Sequence, residues 1–149
     1  IAEKLKDPLN QLPQVDVRRV DDEATRLAFA TICSTCFDIP FRTAARFYEG
    51  ERSWQYGYDG YIGYARGAPV CAMATVVSGE ATGVYSLGTL PEHRKRGYGE
   101  ALMRRVLAEL GHSEGERTTV LQSSEAGYRL YRQMGYRRVG SYRVFLSGG

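Results

Sequence analysis

The chain has 149 residues, of which 43% are hydrophobic and 25% are charged. This length and composition fit one folded globular domain and argue against a disordered chain. The formal net charge is +3, from 20 Lys and Arg residues against 17 Asp and Glu residues. Such a small excess does not by itself indicate a nucleic-acid or membrane partner, so the positions of the charges matter more than their sum.

Targeting signals are not evident in the sequence. It contains no apolar run near the length of a membrane span, and its first residues lack the apolar segment of a secretory signal. Three cysteines are an odd number in a chain without an export signal, which favours reduced thiols and a cytoplasmic location. The sequence does not begin with Met, which leaves open that it belongs to a longer chain.

Hydrophobic periodicity divides the chain into a lead-in and one domain. Residues 1–14 contain two prolines and no clear period, and we interpret them as a lead-in or linker before a domain over residues 15–149. Within the domain the pattern gives the order β-α-α-β-β-β-α-β-α-β. The predicted elements are a strand over 15–20, helices over 23–33 and 40–48, strands over 61–66, 70–77 and 84–90, a helix over 97–110, a strand over 118–122, a helix from Ser123 or Ser124 to Gly135, and one or two strands within 136–147.

Turn residues predict hairpins between the central strands. The stretches "GAP" (67–69) and "GEATG" (79–83) separate three consecutive strands. In the helix that follows, Glu100 and Arg104 are spaced for an ion pair, and Gly111 is expected to end the helix. Central hairpins and one late crossover predict a mixed sheet flanked by helices.

A basic, glycine-containing stretch stands at the start of this helix. Residues 94–99 read RKRGYG, and Pro91 ends the preceding strand. The free N–H groups of a helix start attract anions, and the two glycines let an anion approach the backbone. The stretch therefore fits a pyrophosphate site, although a solvated basic turn fits the same residues. It matches neither the Walker loop nor the dinucleotide motif, because Leu102 stands at the third glycine position of the latter.

Two motifs in this order resemble the GCN5-related N-acetyltransferase (GNAT) family. Residues 94–99 are similar to that family's [Q/R]-x-x-G-x-[G/A] loop, and the preceding "SLGTLPEHR" resembles its fourth strand. Further on, "SSEAGYRLYRQMGYRRV" resembles the signature N-x-x-A-x-x-L-Y-x-x-x-G-F, with Leu130, Tyr131, Gly135 and Tyr136 at the L, Y, G and F positions. The resemblance covers the chain from about residue 15 onward. It implies an α/β (α+β) GNAT-like fold, a mixed, mostly antiparallel twisted sheet that splays between strands 4 and 5.

The resemblance also implies acetyl-CoA as cofactor and acetyl transfer to a primary amine of a small molecule or protein. The backbone of residues 87–89 would bind the pantetheine arm and the acetyl carbonyl, and the backbone N–H groups of residues 95–100 would hold the pyrophosphate. Ser124 stands where the family usually has Asn, and it can still cap the helix and bond the pantetheine. The implied cofactor-binding residues are Leu87, Gly88, Thr89, Arg94, Lys95, Arg96, Gly97, Tyr98, Gly99, Glu100 and Ser124.

The resemblance suggests a general acid but no general base. Tyr131 stands where the family often has the tyrosine that protonates the leaving thiolate, while packing in the core is the alternative for its side chain. An amine near the lysine pKa of about 10.4 is mostly protonated at neutral pH, so its proton must be removed before attack. Strands 4 and 5 contain no carboxylate, and Glu80 or a water relay through Ser86 or Tyr85 are the remaining candidates.

The cysteines do not form a recognisable metal site. Cys33 and Cys36 make a C-x-x-C pair, but Cys71, His93 and His112 are not spaced as the further ligands of a zinc site, so we interpret the thiols as structural. In the GNAT fold the first two helices usually form the wall of the acceptor site. The residues implied there are Cys33, Cys36, Phe37 and Phe41.

The sequence alone leaves two alternative functions open. A GNAT-fold domain that binds CoA for regulation without catalysis fits the missing carboxylate. A nucleic-acid-binding module fits residues 94–96, although no aromatic–basic ladder accompanies the arginines near the C-terminus. We expect neither a nucleic-acid nor a membrane partner. Terminal strands such as "YRVFLS" (142–147) often pair across subunits in this fold, which leaves a homodimer open.

Overall fold

A computed structural model describes residues 1–143 and 145. Four helices and five strands form over these residues, in the predicted order as far as the last helix. Short 3₁₀ turns precede the second strand and the third helix. The elements are β1 (Asp16–Arg19), α1 (Glu23–Phe37), α2 (Phe41–Tyr48), β2 (Tyr58–Ala65), β3 (Ala68–Ser78), β4 (Ala81–Thr89), α3 (Tyr98–Glu114), β5 (Thr118–Leu121) and α4 (Glu125–Gln133).

The five strands form one sheet in the order β1-β2-β3-β4-β5. The first four strands are antiparallel neighbours. Helices α1 and α2 connect β1 to β2, and tight turns connect β2, β3 and β4. Strand β5 lies parallel to β4 after the crossover through α3. Pairing between β4 and β5 covers only Ala81–Val84 and Thr118–Leu121, so the second half of β4 has no β5 neighbour. We call this divergence the splay. It confirms the predicted mixed sheet that opens between strands 4 and 5.

Helices cover both faces of the sheet and bury a core on each. On one face α3 packs over the sheet, and Met73, Leu102 and Val106 are fully buried. On the other face α1 packs over the sheet, where Phe29 and Ile32 are buried. No helix among residues 1–143 and 145 is long and apolar enough to cross a membrane.

Local signals explain most helix boundaries. Asp22 caps α1 by accepting a hydrogen bond from the Thr25 backbone N–H at 2.7 Å, and Thr25 returns the contact to the cap backbone, which makes a capping box. The prediction that Gly111 ends α3 is wrong, because the helix continues to Glu114. Gly115, with φ of +85°, supplies the backbone conformation that ends it.

The predicted closing strands are wrong over the described residues. Residues 136–143 form no strand, and the remainder of the predicted region, 144 and 146–147, lies outside the described residues together with most of "YRVFLS". The outer edge of β5 is instead bridged by the lead-in, since Ala2 and Thr119 exchange two backbone hydrogen bonds of 2.8 and 2.7 Å. Past α4, the Arg137 N–H donates to the Ile1 carbonyl at 2.8 Å. The lead-in therefore bonds to the outer edge of β5, where a closing strand would have to pair.

Candidate functional site

The splay coincides with an irregularity in β4. Ala74 of β3 stands opposite Tyr85, whereas Ala72 stands opposite Gly88, so β4 holds two residues where β3 holds one. Ser86 within this bulge has φ of +51°, a left-handed conformation that is uncommon for a residue other than glycine. The bulge begins two residues past the last β4–β5 pair, and it bends the strand close to the point where the two strands part.

Side chains on the two sides of the bulged strand point to opposite faces of the sheet. A Cβ on Gly88 would lie 2.8 Å from Cys36 Cβ, so α1 approaches the β4 backbone closely at this position. Leu87 packs on the α3 side of the sheet, together with Leu121 and Tyr131. Residues 87–89, predicted to bind pantetheine, therefore run along the open edge of the splay with helices on both faces.

The basic loop ends in a glycine helix start, as the motif predicted. Lys95 and Gly97 adopt positive φ values of +59° and +84°, and Gly97 is the N-cap residue of α3. Because glycine has no side chain, the first N–H groups of α3 receive no cap from it. Gly99 is held against β4, since a Cβ there would lie 3.0 Å from Thr89 Oγ1. The loop and the end of β4 thus form one continuous surface.

The charged residues of this loop have different environments. Arg94 is turned back, and its Nε donates to the Thr89 carbonyl at 3.0 Å. Lys95 and Arg96 are exposed. The side chain of Glu100 accepts a hydrogen bond from Arg104 at 2.8 Å, which confirms the predicted i,i+4 pair. The Glu100 backbone belongs to the first turn of α3. Two of the three basic residues therefore remain free to meet an anion at the surface.

Helix α4 brings the second motif to the end of β5. Ser124 caps the helix by accepting from the Gly127 N–H at 3.3 Å. Tyr131 is half-buried, and its ring lies edge-on to that of Tyr136 with centroids 5.8 Å apart. Burial raises the pKa of Tyr131, so the phenol keeps its proton at neutral pH.

Ser124 and Tyr131 share one cavity. The cavity measures about 540 Å³, within the usual range for small-molecule sites, and begins at Leu121, the last β5 residue that pairs with β4. Its charged lining is mostly basic. It is lined by Ile1, by residues of α4 and by the segment 136–142, and none of the described residues 87–100 takes part.

The three cysteines are free thiols in different surroundings. Cys33 and Cys71 are fully buried, and burial raises the pKa of each thiol to about 12. Cys36 is half-buried beside Gly88; burial raises the pKa of its thiol, and the guanidinium of Arg94 opposes that shift. Two of the residues implied in the acceptor wall have different positions. The Phe37 ring lies near β4, 3.5 Å from where a Cβ on Gly88 would stand. Cys33 is enclosed in the core.

One group of residues at the splay was missed by the motifs. Tyr48 of α2 and Tyr58 of β2 meet Ser86 on the α1 side of the sheet, and the Tyr58 and Ser86 hydroxyl oxygens lie 3.2 Å apart. Ser86 was a candidate for a water relay, but nothing in the spacing of the two tyrosines links them to it. The three residues come from α2, β2 and the bulge of β4, which are far apart in the sequence and meet only in the folded chain.

Comparisons with known proteins agree with this geometry. The family model described as "Acetyltransferase (GNAT) domain" matches residues 49–138, which is more than half of the chain. The chain belongs to this family of acetyltransferases. No curated protein matches the chain significantly.

Solved structures share the fold at low sequence identity. A GCN5-related N-acetyltransferase from Ralstonia eutropha is 22% identical with a TM-score of 0.64, over 91% of this chain and 100% of that one. A ribosomal-protein-alanine N-acetyltransferase from Brucella melitensis is 19% identical with a TM-score of 0.68, over 91% and 100% of the two chains. An aminoglycoside N-acetyltransferase in complex with CoA is 12% identical with a TM-score of 0.64, over 90% and 95%. The family supports acetyl transfer in general, and these neighbours show that the chain shares their fold.

Proposed function

We propose that the chain is an acetyl-CoA-dependent N-acetyltransferase that transfers the acetyl group directly to a primary amine of a small molecule or protein. The observation that carries the proposal is the position of the splay. Pairing of β4 with β5 stops at Val84, the bulge begins two residues later, and β4 then leads toward the basic glycine loop. One edge thus offers unpaired strand backbone, followed by the positive end of a helix.

Acetyl-CoA would lie along this edge as a substrate of the reaction. The backbone of Leu87, Gly88 and Thr89 would bind the pantetheine arm and the acetyl carbonyl, and the N–H groups of residues 95–100 would hold the pyrophosphate. Lys95 and Arg96 are exposed and add positive charge, and Ser124 lies in the cavity at the end of β5. A strand N–H aimed at the acetyl oxygen would stabilise the negative charge that develops there during acyl transfer.

Tyr131 would act as the general acid. Its half-buried phenol lies in the same cavity as Ser124 and stays protonated at neutral pH, because burial raises its pKa. A protonated hydroxyl at this place can give its proton to the leaving thiolate of CoA. The three free thiols fit a reducing, cytoplasmic setting.

Turnover tests the proposal directly. Release of the CoA thiol from acetyl-CoA would be followed with a panel of primary amines, for the wild type and for Tyr131→Phe. We expect amine-dependent turnover that falls about 100-fold in Tyr131→Phe, the lower range for loss of a general acid. Tyr56→Phe is the matched control, because Tyr56 is 97% exposed and does not line this cavity. CoA binding without turnover on any amine would instead favour the regulatory CoA-binding domain.

A further inference from the structure

The hydroxyl cluster of Tyr48, Ser86 and Tyr58 stands where the proposed reaction needs a base. Ser86 is the second residue of β4 beyond the last β4–β5 pair, and it precedes Leu87, the first residue of the proposed acetyl-binding segment. The cluster lies on the α1 side of the sheet, whereas Tyr131 packs with the core on the α3 side. An amine on the first side and a proton donor on the second would therefore face the thioester from opposite directions.

The cluster is a connected set of hydroxyl groups. The Tyr58 and Ser86 oxygens are 3.2 Å apart, within hydrogen-bond distance for hydroxyl groups. Tyr48 packs in the same α1-side core as Tyr58, and both rings lie against Trp54, which places Tyr48 beside this pair of hydroxyls. All three side chains are half-buried, so the set reaches from the core to the surface.

The backbone at Ser86 is held in an unfavourable conformation that aims its side chain into this cluster. A φ of +51° is unfavourable for a residue other than glycine, and such positions concentrate at functional sites. In an undistorted strand, Tyr85 and Ser86 would point to opposite faces. The bulge adds one residue opposite Met73 and turns Ser86 toward Tyr58 of the α1-side core.

From this geometry we propose that the Ser86–Tyr58–Tyr48 hydroxyls bind the acceptor's ammonium group and relay its proton to water, in place of a carboxylate base. The inference rests on the proposed N-acetyltransferase function. Ser86 takes a proton from the ammonium nitrogen while its own proton passes to Tyr58, and a tyrosine hydroxyl releases a proton to water at the surface. Each hydroxyl ends the step with one proton.

The rest of the reaction then balances. The neutral nitrogen forms the new C–N bond at the acetyl carbon, and the C–S bond breaks. The ammonium gives up two protons in all. One leaves through the hydroxyls to solvent, and the second replaces the proton that the CoA thiolate takes from Tyr131.

The neighbourhood of the two tyrosines suits a relay rather than an anionic base. Burial raises the pKa of Tyr48 and of Tyr58, so both phenols are protonated at neutral pH. Besides burial, the largest influences on these pKa values come from the neighbouring hydroxyls, from Cys33 of α1 for both phenols, and from Tyr85 of β4 for Tyr58. These groups are hydroxyls and a thiol, so a proton can move between neutral groups of the cluster.

Amines of different basicity test the relay. An ε-amine with a pKa of about 10.4 needs a base at pH 8.5, whereas an α-amine with a pKa of about 8 is mostly neutral there. We expect Tyr58→Phe and Ser86→Gly to lose about tenfold or more in kcat/KM on lysine-type ε-amines at about pH 8.5, and less than about threefold on α-amines. Glycine accommodates the positive φ at position 86, so the second variant keeps the fold. Equal losses on both amines would overturn the proposal.

A binding measurement separates this inference from the proposed function. Trp54 is the single tryptophan of the chain, and its ring lies 5.7 Å from that of Tyr58 and 5.8 Å from that of Tyr48. Butylammonium added to the CoA-saturated protein should change Trp54 fluorescence saturably, and more weakly in Ser86→Gly. Tyr61→Phe is the control, because Tyr61 lies on β2 toward the α3-side core. Turnover without any saturable change in Trp54 fluorescence would reject the cluster while leaving the N-acetyltransferase function intact.

Discussion

At the scale of single residues, Gly127 and Tyr131 depend on each other. A Cβ at position 127 would lie 2.9 Å from Tyr131 Cε2, closer than real Cβ contacts come. Glycine in the middle of α4 costs helix stability relative to alanine, about 1 kcal/mol. The absence of a side chain at Gly127 therefore leaves room for the Tyr131 ring, at some cost to the helix.

The substitution Gly127→Ala tests this relation. The added methyl group should displace the Tyr131 ring and lower kcat several-fold, while the better helix propensity keeps the melting temperature equal or raises it. Turnover kinetics and thermal unfolding of the same preparation measure both effects. An unchanged kcat would show that the position of the Tyr131 ring does not matter to the reaction.

Thiol reactivity is a second property set by single residues. Burial raises the pKa of Cys33 and Cys71 to about 12, and both side chains are inaccessible. Cys36 is half-buried. At about pH 8 the native protein should therefore react with a thiol reagent at Cys36 alone, and at all three cysteines after unfolding. Mass spectrometry of the modified chain identifies the sites, and rapid native modification of Cys33 would contradict the described packing.

At the scale of elements, the outer edge of β5 depends on side chains as well as backbone. The Tyr136 hydroxyl donates to Thr119 Oγ1 at 2.8 Å, and Thr119 Oγ1 donates to the Ala2 carbonyl at 3.1 Å. This chain of bonds joins the segment after α4 to β5 and to the lead-in. All of these groups are buried.

Two substitutions separate the roles of these hydroxyl groups. Tyr136→Phe removes one hydrogen bond and should cost about 1 kcal/mol of unfolding free energy. Thr119→Val leaves the buried Tyr136 hydroxyl without its partner, so it should cost more, about 1–3 kcal/mol. Urea unfolding measures both, with Tyr128→Phe as the exposed control. A smaller cost for Thr119→Val than for Tyr136→Phe would argue against the described bond network.

The elements also show how far the sequence alone could predict this molecule. Periodicity and turn residues predicted all four helices and β1 to β5, because each element carries its own local pattern. The strands expected within 136–147 were wrong over the described residues, since the pairing of Ala2 with Thr119 is a long-range contact with no local signal. The hydroxyl cluster joins α2, β2 and the bulge at Ser86, and short motifs do not encode contacts between such distant segments.

At the scale of the whole molecule, two buried thiols and a buried phenol should lower the free energy of unfolding at alkaline pH. Burial raises the pKa of the Cys33 and Cys71 thiols from an ordinary value of 9.0 to about 12, and the pKa of Tyr136 from 10.0 to about 12. A folded pKa above the unfolded value means that the folded chain keeps protons that the unfolded chain has lost. The unfolded chain is therefore favoured at high pH: the corresponding stability is fully present below about pH 9 and is lost as pH rises toward 12.

Urea unfolding at increasing pH measures this loss. The free energy of unfolding should fall from about pH 9 upward, by up to about 1.4 kcal/mol per pH unit for each buried thiol. The double variant Cys33→Ala with Cys71→Ala should show a shallower decline than the wild type, although its stability at pH 7 is lower. A decline as steep in this double variant as in the wild type would assign the alkaline loss to other groups.

Calorimetric titration tests most directly whether the splay and the basic glycine loop bind acetyl-CoA. CoA and acetyl-CoA would be titrated into the wild type, Arg96→Glu and Arg105→Glu. Arg105 lies on the same helix in an ion pair whose side chains are 61% and 60% exposed, so its reversal controls for charge at little structural cost. We predict binding to the wild type and to Arg105→Glu, weakened about tenfold or more in Arg96→Glu, where the new carboxylate repels the pyrophosphate. Absence of binding to the wild type, or equal affinity in both variants, would contradict the proposed site.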